Sequence, residues 1–332
     1  MATICTVLGC SHSPFLFMPP ELWDEVRHRR QLAKDVPRPS VESNKVEFDR
    51  CMKAYATLRQ KIEAVKPDVL LIFGDDQREQ FSFSNFPALG IYLGEEMEGE
   101  TKPVGFLRRA MGMDNVPFEE NWVKAKGAPE FGKQLMMGLM KRDFDLAFSL
   151  DLPNKERGLG HAFLHPPYYL TPNYDIPILP FFVNCCYAPQ PSGKRCYDLG
   201  QAVKQVIEES PMDLRVAVIG SGGLWHTPGV PGAYLDEEFD RTILKFVGTG
   251  EARKMAEYFD SCEWPYPSAT PEVADKLLGG TGMSAGLGSG VGETRNWLIA
   301  SAVADGVNGS VVDYVPVYAS PCGMAFAHWD MN

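Results

Sequence analysis

Six short apolar runs recur along this chain with helical spacing between several of them, and this alternation restricts the fold more than any other feature. The runs are TICTVLGC (3–10), DVLLIFGD (68–75), FDLAFSLD (144–151), IPILPFFVN (176–184), LRVAVIGS (214–221) and VVDYVPVYA (311–319). They are continuous rather than alternating, and rich in β-branched and aromatic residues. Strands covered on both faces read this way, because every side chain meets a packed layer. Helical patterns fall at 44–65, 129–142, 196–210, 235–247 and 292–305. The alternation predicts a layered α/β fold with a mostly parallel central sheet flanked by helices.

Nothing in the 332 residues reads as a linker, an internal repeat or a low-complexity tail, so a single domain over 1–332 is expected. The stretch 94–128 is rich in Gly, Met and charge and has weak periodicity; it is expected to be a lid-like or partner-facing excursion. GGTGMSAGLGSGVG (279–292) is flexible by composition and leads into a helix.

The formal net charge of −11 argues against nucleic acid or an anionic membrane as partner, since both need a basic face. No apolar stretch approaches the roughly 18 residues of a membrane-spanning helix. The segment MATICTVLGCSHSPFL lacks a basic region and a cleavage pattern, so no signal peptide is expected. The eight cysteines include no CxxC pair, and Cys185 and Cys186 are adjacent. They read as reduced core residues of a cytoplasmic protein.

The six histidines are placed unevenly. His28 lies in RHRR, a solvated helical face. His328 lies in FAHWD and reads as a packed residue. The other four follow apolar runs: His12 after the first, His161 and His165 after the third, His226 after the fifth. GDDQREQF (74–81) follows the second and brings Asp75, Asp76 and Gln77 to its tip. Ligands of open α/β sheets bind outside the carboxyl ends of the strands, so these tips are expected to converge on one cleft. Histidine with carboxylates suits a divalent metal or proton transfer near neutral pH. No GxSxG, GxGxxG or GxxxxGK[ST] appears, which leaves serine-nucleophile and nucleotide chemistry without support.

SHSPFL, PDVLLIFGDDQREQF, PQPSGKRCYDLG, GSGGLWHTPGVPGAYLDEEFD and GETRNWLIASA, taken in order, resemble the class III extradiol ring-cleaving dioxygenases. The resemblance runs from residue 3 to about 325 and is most specific at 176–226 and 290–302. It implies a catalytic domain that binds non-haem Fe(II) through two histidines and a glutamate, with open positions for substrate and O₂. The first metal ligand then falls on His12 and the glutamate on Glu293. The proton-transferring histidine falls on His226, and a further active-site histidine on His161.

The chain departs from the family at the second metal histidine. The family pattern there is Asp-His, three residues, then Phe; counting back from Phe81 puts Asp76 and Gln77 on the two positions. Three readings stay open. Gln77, or Asp75 or Asp76 after a small shift, completes the metal site. Alternatively, His165 reaches in. Alternatively, the metal is lost or changed, and the fold serves as a zinc hydrolase or a metal-free binding protein.

Under the first reading, a catechol-like, aminophenol or dihydroxypyridine ring is opened by O₂ in aromatic catabolism. Ser11, Asp75 and Thr227 are candidates to orient ligands, and Trp225 to line an aromatic pocket. Lys194 and Arg195 in PSGKR face a substrate carboxylate or solvent. A homo-oligomer is the expected assembly. The family's protocatechuate-cleaving enzyme has a small helical subunit, so 94–128 serves either as a lid or as the dock for such a second subunit.

Overall fold

The computed structural model describes residues 1–27, 32–102, 122–187, 189–227, 232–262 and 290–331. In chain order the elements are β1 (Thr3–Cys10), α1 (Trp23–Arg27), α2 (Val41–Val65), β2 (Val69–Gly74), β3 (Leu89–Tyr92), β4 (Glu96–Glu100), β5 (Trp122–Lys126), α3 (Pro129–Met140) and β6 (Ala147–Ser149). There follow α4 (His161–Leu170), β7 (Ile178–Val183), α5 (Gly193–Glu208), β8 (Arg215–Ser221), α6 (Glu237–Thr249), α7 (Ala252–Ser261), α8 (Thr294–Val303), β9 (Ser310–Val317) and β10 (Cys322–Asp330).

Among the described residues, eight strands form one sheet in the order β6-β3-β7-β2-β8-β1-β10-β9. The central strands β7, β2, β8 and β1 are mutually parallel. Antiparallel pairs lie toward the margins, at β3/β7, β1/β10 and β10/β9. The α/β fold with a mostly parallel sheet is therefore as expected. β2 is buried along its whole length. Its Val69, Leu71 and Phe73 pack into one core with α3, α5, α6, α7 and α8, while Leu70 and Ile72 face a second core with α2 and α4. Each fully buried Leu, Ile or Phe contributes about 1.5–3 kcal/mol, and both faces supply many.

Two helices hold the strand ends in place. In α2, Cys51, Ala54, Tyr55, Leu58 and Ile62 are buried at helical spacing. The Tyr55 hydroxyl donates to the Ser11 carbonyl, fixing the chain just before His12. α8 is buried all round. It approaches β8 closely: a Cβ on Gly220 would lie 2.6 Å from the Asn296 carbonyl oxygen, so only glycine admits the helix at that distance.

Several elements differ from the sequence reading. FDLAFSLD contributes only three paired residues, at the sheet edge, with Phe148 59% exposed; it is not a strand covered on both faces. β3, α7 and β10 were not expected. GHAFLHPP, which is not among the helical patterns, opens α4, with Pro166 and Pro167 inside the helix. The ends of the 94–128 excursion pair as the antiparallel ribbon β4–β5. Its residues 103–121 lie outside the described residues, as do His28 and 279–289. Among the described residues no helix is long and apolar enough to cross a membrane.

Candidate metal centre and active site

His12 leaves β1 at its carboxyl end, and Ser221 closes the neighbouring parallel strand β8. The Ser221 hydroxyl donates to the Ala162 carbonyl at 2.6 Å. A hydroxyl has one proton, so toward His12 Nδ1, at 2.9 Å, Ser221 must accept. Nδ1 of His12 therefore carries a proton, which leaves Nε2 as the nitrogen whose lone pair a cation could take. In α4 the partner that would normally take the Ala162 carbonyl is the amide of residue 166. Proline has no N–H, so the carbonyl is left for Ser221.

That lone pair faces two carboxylates. His12 Nε2 lies 3.3 Å from Glu293 Oε2 and 3.9 Å from Asp75 Oδ1. Donor atoms of the three residues all lie within 4.8 Å of one another, and all three residues are buried. Among the described residues, Asp75 Oδ1 is buried with no hydrogen-bond partner. Its other oxygen accepts from the Cys186 thiol at 3.6 Å. Burial, reinforced by Glu293, pushes the Asp75 carboxyl up to about 7. One imidazole lone pair and two carboxylates converging out of water, with one oxygen orphaned, fit a divalent cation.

Glu293 sits at the centre of this cluster, just before α8. Burial alone would raise its carboxyl, but the charges of His226 and His12 outweigh it and hold it well below the usual range. Its Oε2 accepts from the Gly223 amide at 3.1 Å. Its Oε1 accepts from Gln77 Nε2 at 3.1 Å and lies 3.2 Å from His226 Nε2. Gly222 has φ +148°, and a Cβ there would lie 2.9 Å from Glu293 Oε2.

His226 has acceptors at both ring nitrogens: the Leu224 carbonyl at Nδ1, 3.1 Å away, and Glu293 at Nε2. Both nitrogens therefore carry protons. Burial disfavours that charge, but Glu293 overcomes it and pushes His226 up to about 9. The His226 segment is stitched to β10 through Leu224 N–Gly323 O and Gly323 N–Trp225 O.

His161 is the first residue of α4, and its ring meets that of His12 edge-on at 4.6 Å. Its backbone amide donates to Glu79 Oε1 at 3.3 Å, and its Nδ1 lies 3.0 Å from both Glu79 oxygens. Arg157 joins Glu79 at 3.2 Å. Burial would raise the Glu79 carboxyl, but His161 and Arg157 bring it down to about 2.

Residues 36–263 match the family described as the catalytic LigB subunit of aromatic ring-opening dioxygenase. The chain belongs to this family. Among curated relatives, gallate dioxygenase of Pseudomonas putida is 35% identical over 140 residues, covering 40% of this chain and 40% of that protein. The 2,3-dihydroxyphenylpropionate/2,3-dihydroxicinnamic acid 1,2-dioxygenase of Klebsiella pneumoniae is 26% identical over 192 residues, covering 58% of this chain and 54% of that protein. The Escherichia coli protein of the same name is 28% identical over 185 residues, covering 55% and 51%. The chain thus spans about two fifths to one half of the length of these relatives. The family match contains Asp75, Gln77, His161 and His226; His12 and Glu293 flank it.

Against this LigB-family background, the fold brings together His12, Asp75, Gln77, Glu293, His226 and His161. Other expected residues stand elsewhere. Asp76 turns back on its own loop, accepting from the amides of Gln80 at 2.8 Å and Phe81 at 3.1 Å, and stands outside the His12, Asp75 and Glu293 donor group. Burial, with Glu79 nearby, raises it to about 7. His165 does not join the donor group: its Nδ1 donates to the His12 carbonyl at 2.7 Å, and burial holds it neutral, well below its ordinary pKa. Trp225 packs on Tyr234 and Phe239 and is 3% exposed, so its ring belongs to the core. The Thr227 hydroxyl is buried without a partner among the described residues. Lys194 pairs with Asp198, and Arg195 covers Phe144 and donates to the Asp143 carbonyl; both are on the surface of α5. His328 is packed within β10 beside Asp330.

Sequence reasoning missed Ser221 and Glu79. Both had a signal. Ser221 ends LRVAVIGS at the same carboxyl edge as His12, and Glu79 lies two residues beyond Gln77 in the acidic tip.

Proposed function

We propose that this chain opens an aromatic ring with O₂ as an extradiol ring-cleaving dioxygenase. The substrate class is a catechol-like ring, an aminophenol or a dihydroxypyridine. The observation that carries the reading is the buried convergence of His12 Nε2, Asp75 Oδ1 and Glu293 Oε2 within a LigB-family fold. Two relatives are named for gallate and for 2,3-dihydroxyphenylpropionate, and a related hydroxylated ring is proposed for this chain.

A divalent metal, Fe(II) by the resemblance, would be held by His12, Glu293 and an oxygen of the β2 tip. When bound, it acidifies ring hydroxyls and brings O₂ to the ring. The chain's own residues supply the rest. Ser221 holds His12 in the tautomer that leaves Nε2 free. His226 stores a proton at Nε2. The charge of Glu293 retains that proton, and sharing Glu293 with a cation weakens the hold. Metal loading displaces protons from such a site; with Nε2 so freed, His226 would take a proton from a ring hydroxyl as base and return it afterwards as acid. His161, fixed at Nδ1 by Glu79, offers its other nitrogen beside His12. Both oxygen atoms enter the opened product, so no external reductant is needed.

The test is oxygen uptake by anaerobically Fe(II)-loaded protein against catechols, aminophenols and dihydroxypyridines. One O₂ consumed per ring opened supports the reading. No uptake with any of these rings removes it and favours the competing one, a zinc-holding or metal-free protein, for which the departure at Gln77 speaks.

A further inference from the structure

We infer that Asp75, not Gln77, takes the place of the missing imidazole, and that Gln77 serves as a hydrogen-bond donor that orients Glu293. The inference rests on the reading that this site holds a metal, and it sets which cations the site prefers.

The first observation is the direction of Gln77. Glu293 Oε1 is a carboxylate oxygen, which only accepts, so the amide atom 3.1 Å from it must be the NH₂ end. An NH₂ group has no lone pair to give a metal. A second donor, His226 Nε2, reaches the same oxygen. With Gly223 N on Oε2, three donors fix the carboxylate, and Oε2 is the oxygen turned toward His12. Gln77 thus occupies an outer position, where such contacts orient a ligand.

The second observation is independent. Asp75 Oδ1 is fully buried, has no hydrogen-bond partner among the described residues, and lies 3.9 Å from His12 Nε2. An orphaned carboxylate oxygen in the interior is costly unless a cation meets it. Asp75 closes the group that His12 and Glu293 begin, whereas His165 binds the His12 carbonyl through Nδ1 and its Nε2 stands outside that group.

The consequence is a donor set of one neutral imidazole and two carboxylates, with formal charge −2. Oxygen-rich sites suit harder cations such as Mn(II) and Fe(II), and imidazole donors shift preference toward Zn(II). This site should therefore discriminate less in favour of Zn(II) over Mn(II) than a variant carrying a second imidazole.

The test is titration of the metal-free chain with Mn(II) and with Zn(II), for wild type, Asp75→Asn, Gln77→Ala and Gln77→His, each checked for folding by circular dichroism. Wild type is expected to bind one Mn(II). Asp75→Asn is expected to weaken Mn(II) at least about a hundredfold and Gln77→Ala by no more than about tenfold, the lower part of the range for removal of an outer-shell partner. Gln77→His should raise the Zn(II) to Mn(II) affinity ratio. Should Asp75→Asn misfold, electron spin-echo spectra of Mn(II) bound to wild type decide instead: one coupled imidazole nitrogen is expected there, and two in Gln77→His. Loss of Mn(II) in Gln77→Ala but not in Asp75→Asn, or two imidazole couplings in wild type, would overturn the assignment while leaving a metal enzyme. Failure of wild type to bind either metal would overturn the metal reading itself.

Discussion

Ser221 accepts a hydrogen bond from His12 Nδ1 at 2.9 Å, and it can do so only because its own proton is committed to the Ala162 carbonyl. Pro166 makes that carbonyl available. A proline inside a helix, a strand-end serine and a histidine after another strand thus form one device that points a lone pair at Glu293 and Asp75. Ser221→Ala removes the acceptor for His12 and leaves the Ala162 carbonyl buried without a partner, at a cost of about 1–3 kcal/mol. Metal affinity should fall about 10–100-fold, as when an outer partner of a metal histidine is lost. Metal titration and chemical denaturation of the variant check this; unchanged affinity would separate Ser221 from the site.

Gly222→Ala should damage both stability and the site. The backbone at φ +148° strains any L side chain, by about 1–3 kcal/mol, and the new methyl would sit 2.9 Å from Glu293 Oε2. The expected outcome is a lower unfolding free energy together with weaker metal binding. A variant that binds metal like the wild type would show that the Gly222–Glu293 contact is slack.

Glu79→Gln should lower kcat at least about tenfold while leaving bound metal unchanged. Glu79 touches His161 and Arg157 rather than the His12, Asp75 and Glu293 group, so its loss disturbs proton handling and not cation binding. Steady-state kinetics beside metal analysis tests this. Loss of metal in the variant would mean that Glu79 holds the loop around Asp75 in place.

Asp240 gives a pH signature. It is fully buried and accepts from the Trp225 amide at 2.7 Å and from the Tyr314 hydroxyl at 2.8 Å. Burial pushes it up to about 7, opposed by Tyr314, Trp225 and the charge of His226 and aided by Asp236. A folded pKa above the unfolded one means that the folded state binds the proton more tightly. That stabilisation is full below about 4 and is lost as pH rises through about 7, with a ceiling of about 4 kcal/mol at 1.36 kcal/mol per unit. Denaturation of wild type and Asp240→Asn between pH 4 and 8 should show the wild type losing stability relative to the variant. Parallel curves would mean that Asp240 stays ionised throughout.

How much of the fold and site was legible in the sequence depended on whether the signal was local. β1, β2, β7 and β8 are continuous apolar runs, and burial on both faces leaves that mark. The metal-centre candidates His12, Asp75 and Gln77 stand beyond strand ends, so position flagged them, whereas Glu293, at a helix start, was named only through the family resemblance. What was missed is relational. CGMAFAHWD folds as β10 between β1 and β9, but its Gly, Ala and Met give weak strand propensity. HAFLHPPYYL is not among the helical patterns, and it folds as a helix with two prolines inside it, in which the Ala162 carbonyl pairs with Ser221 instead of an amide. Trp225 sits beside His226 in sequence, yet its ring turns into the core toward Phe239. The assignment of the third donor depended on where Gln77 and Asp75 point, which no spacing encodes.

Ring opening by O₂ is tested most directly by isotope labelling. Anaerobically Fe(II)-loaded protein is given the ring that consumes most oxygen, under ¹⁸O₂, and the product is weighed by mass spectrometry. A ring-opened product carrying both labelled oxygen atoms is expected, absent in His12→Ala and Glu293→Ala. The carbonyl of the product is reduced at quench so that its label does not exchange with water; a product with no labelled atom, or with the ring intact, would contradict dioxygenase chemistry at this site.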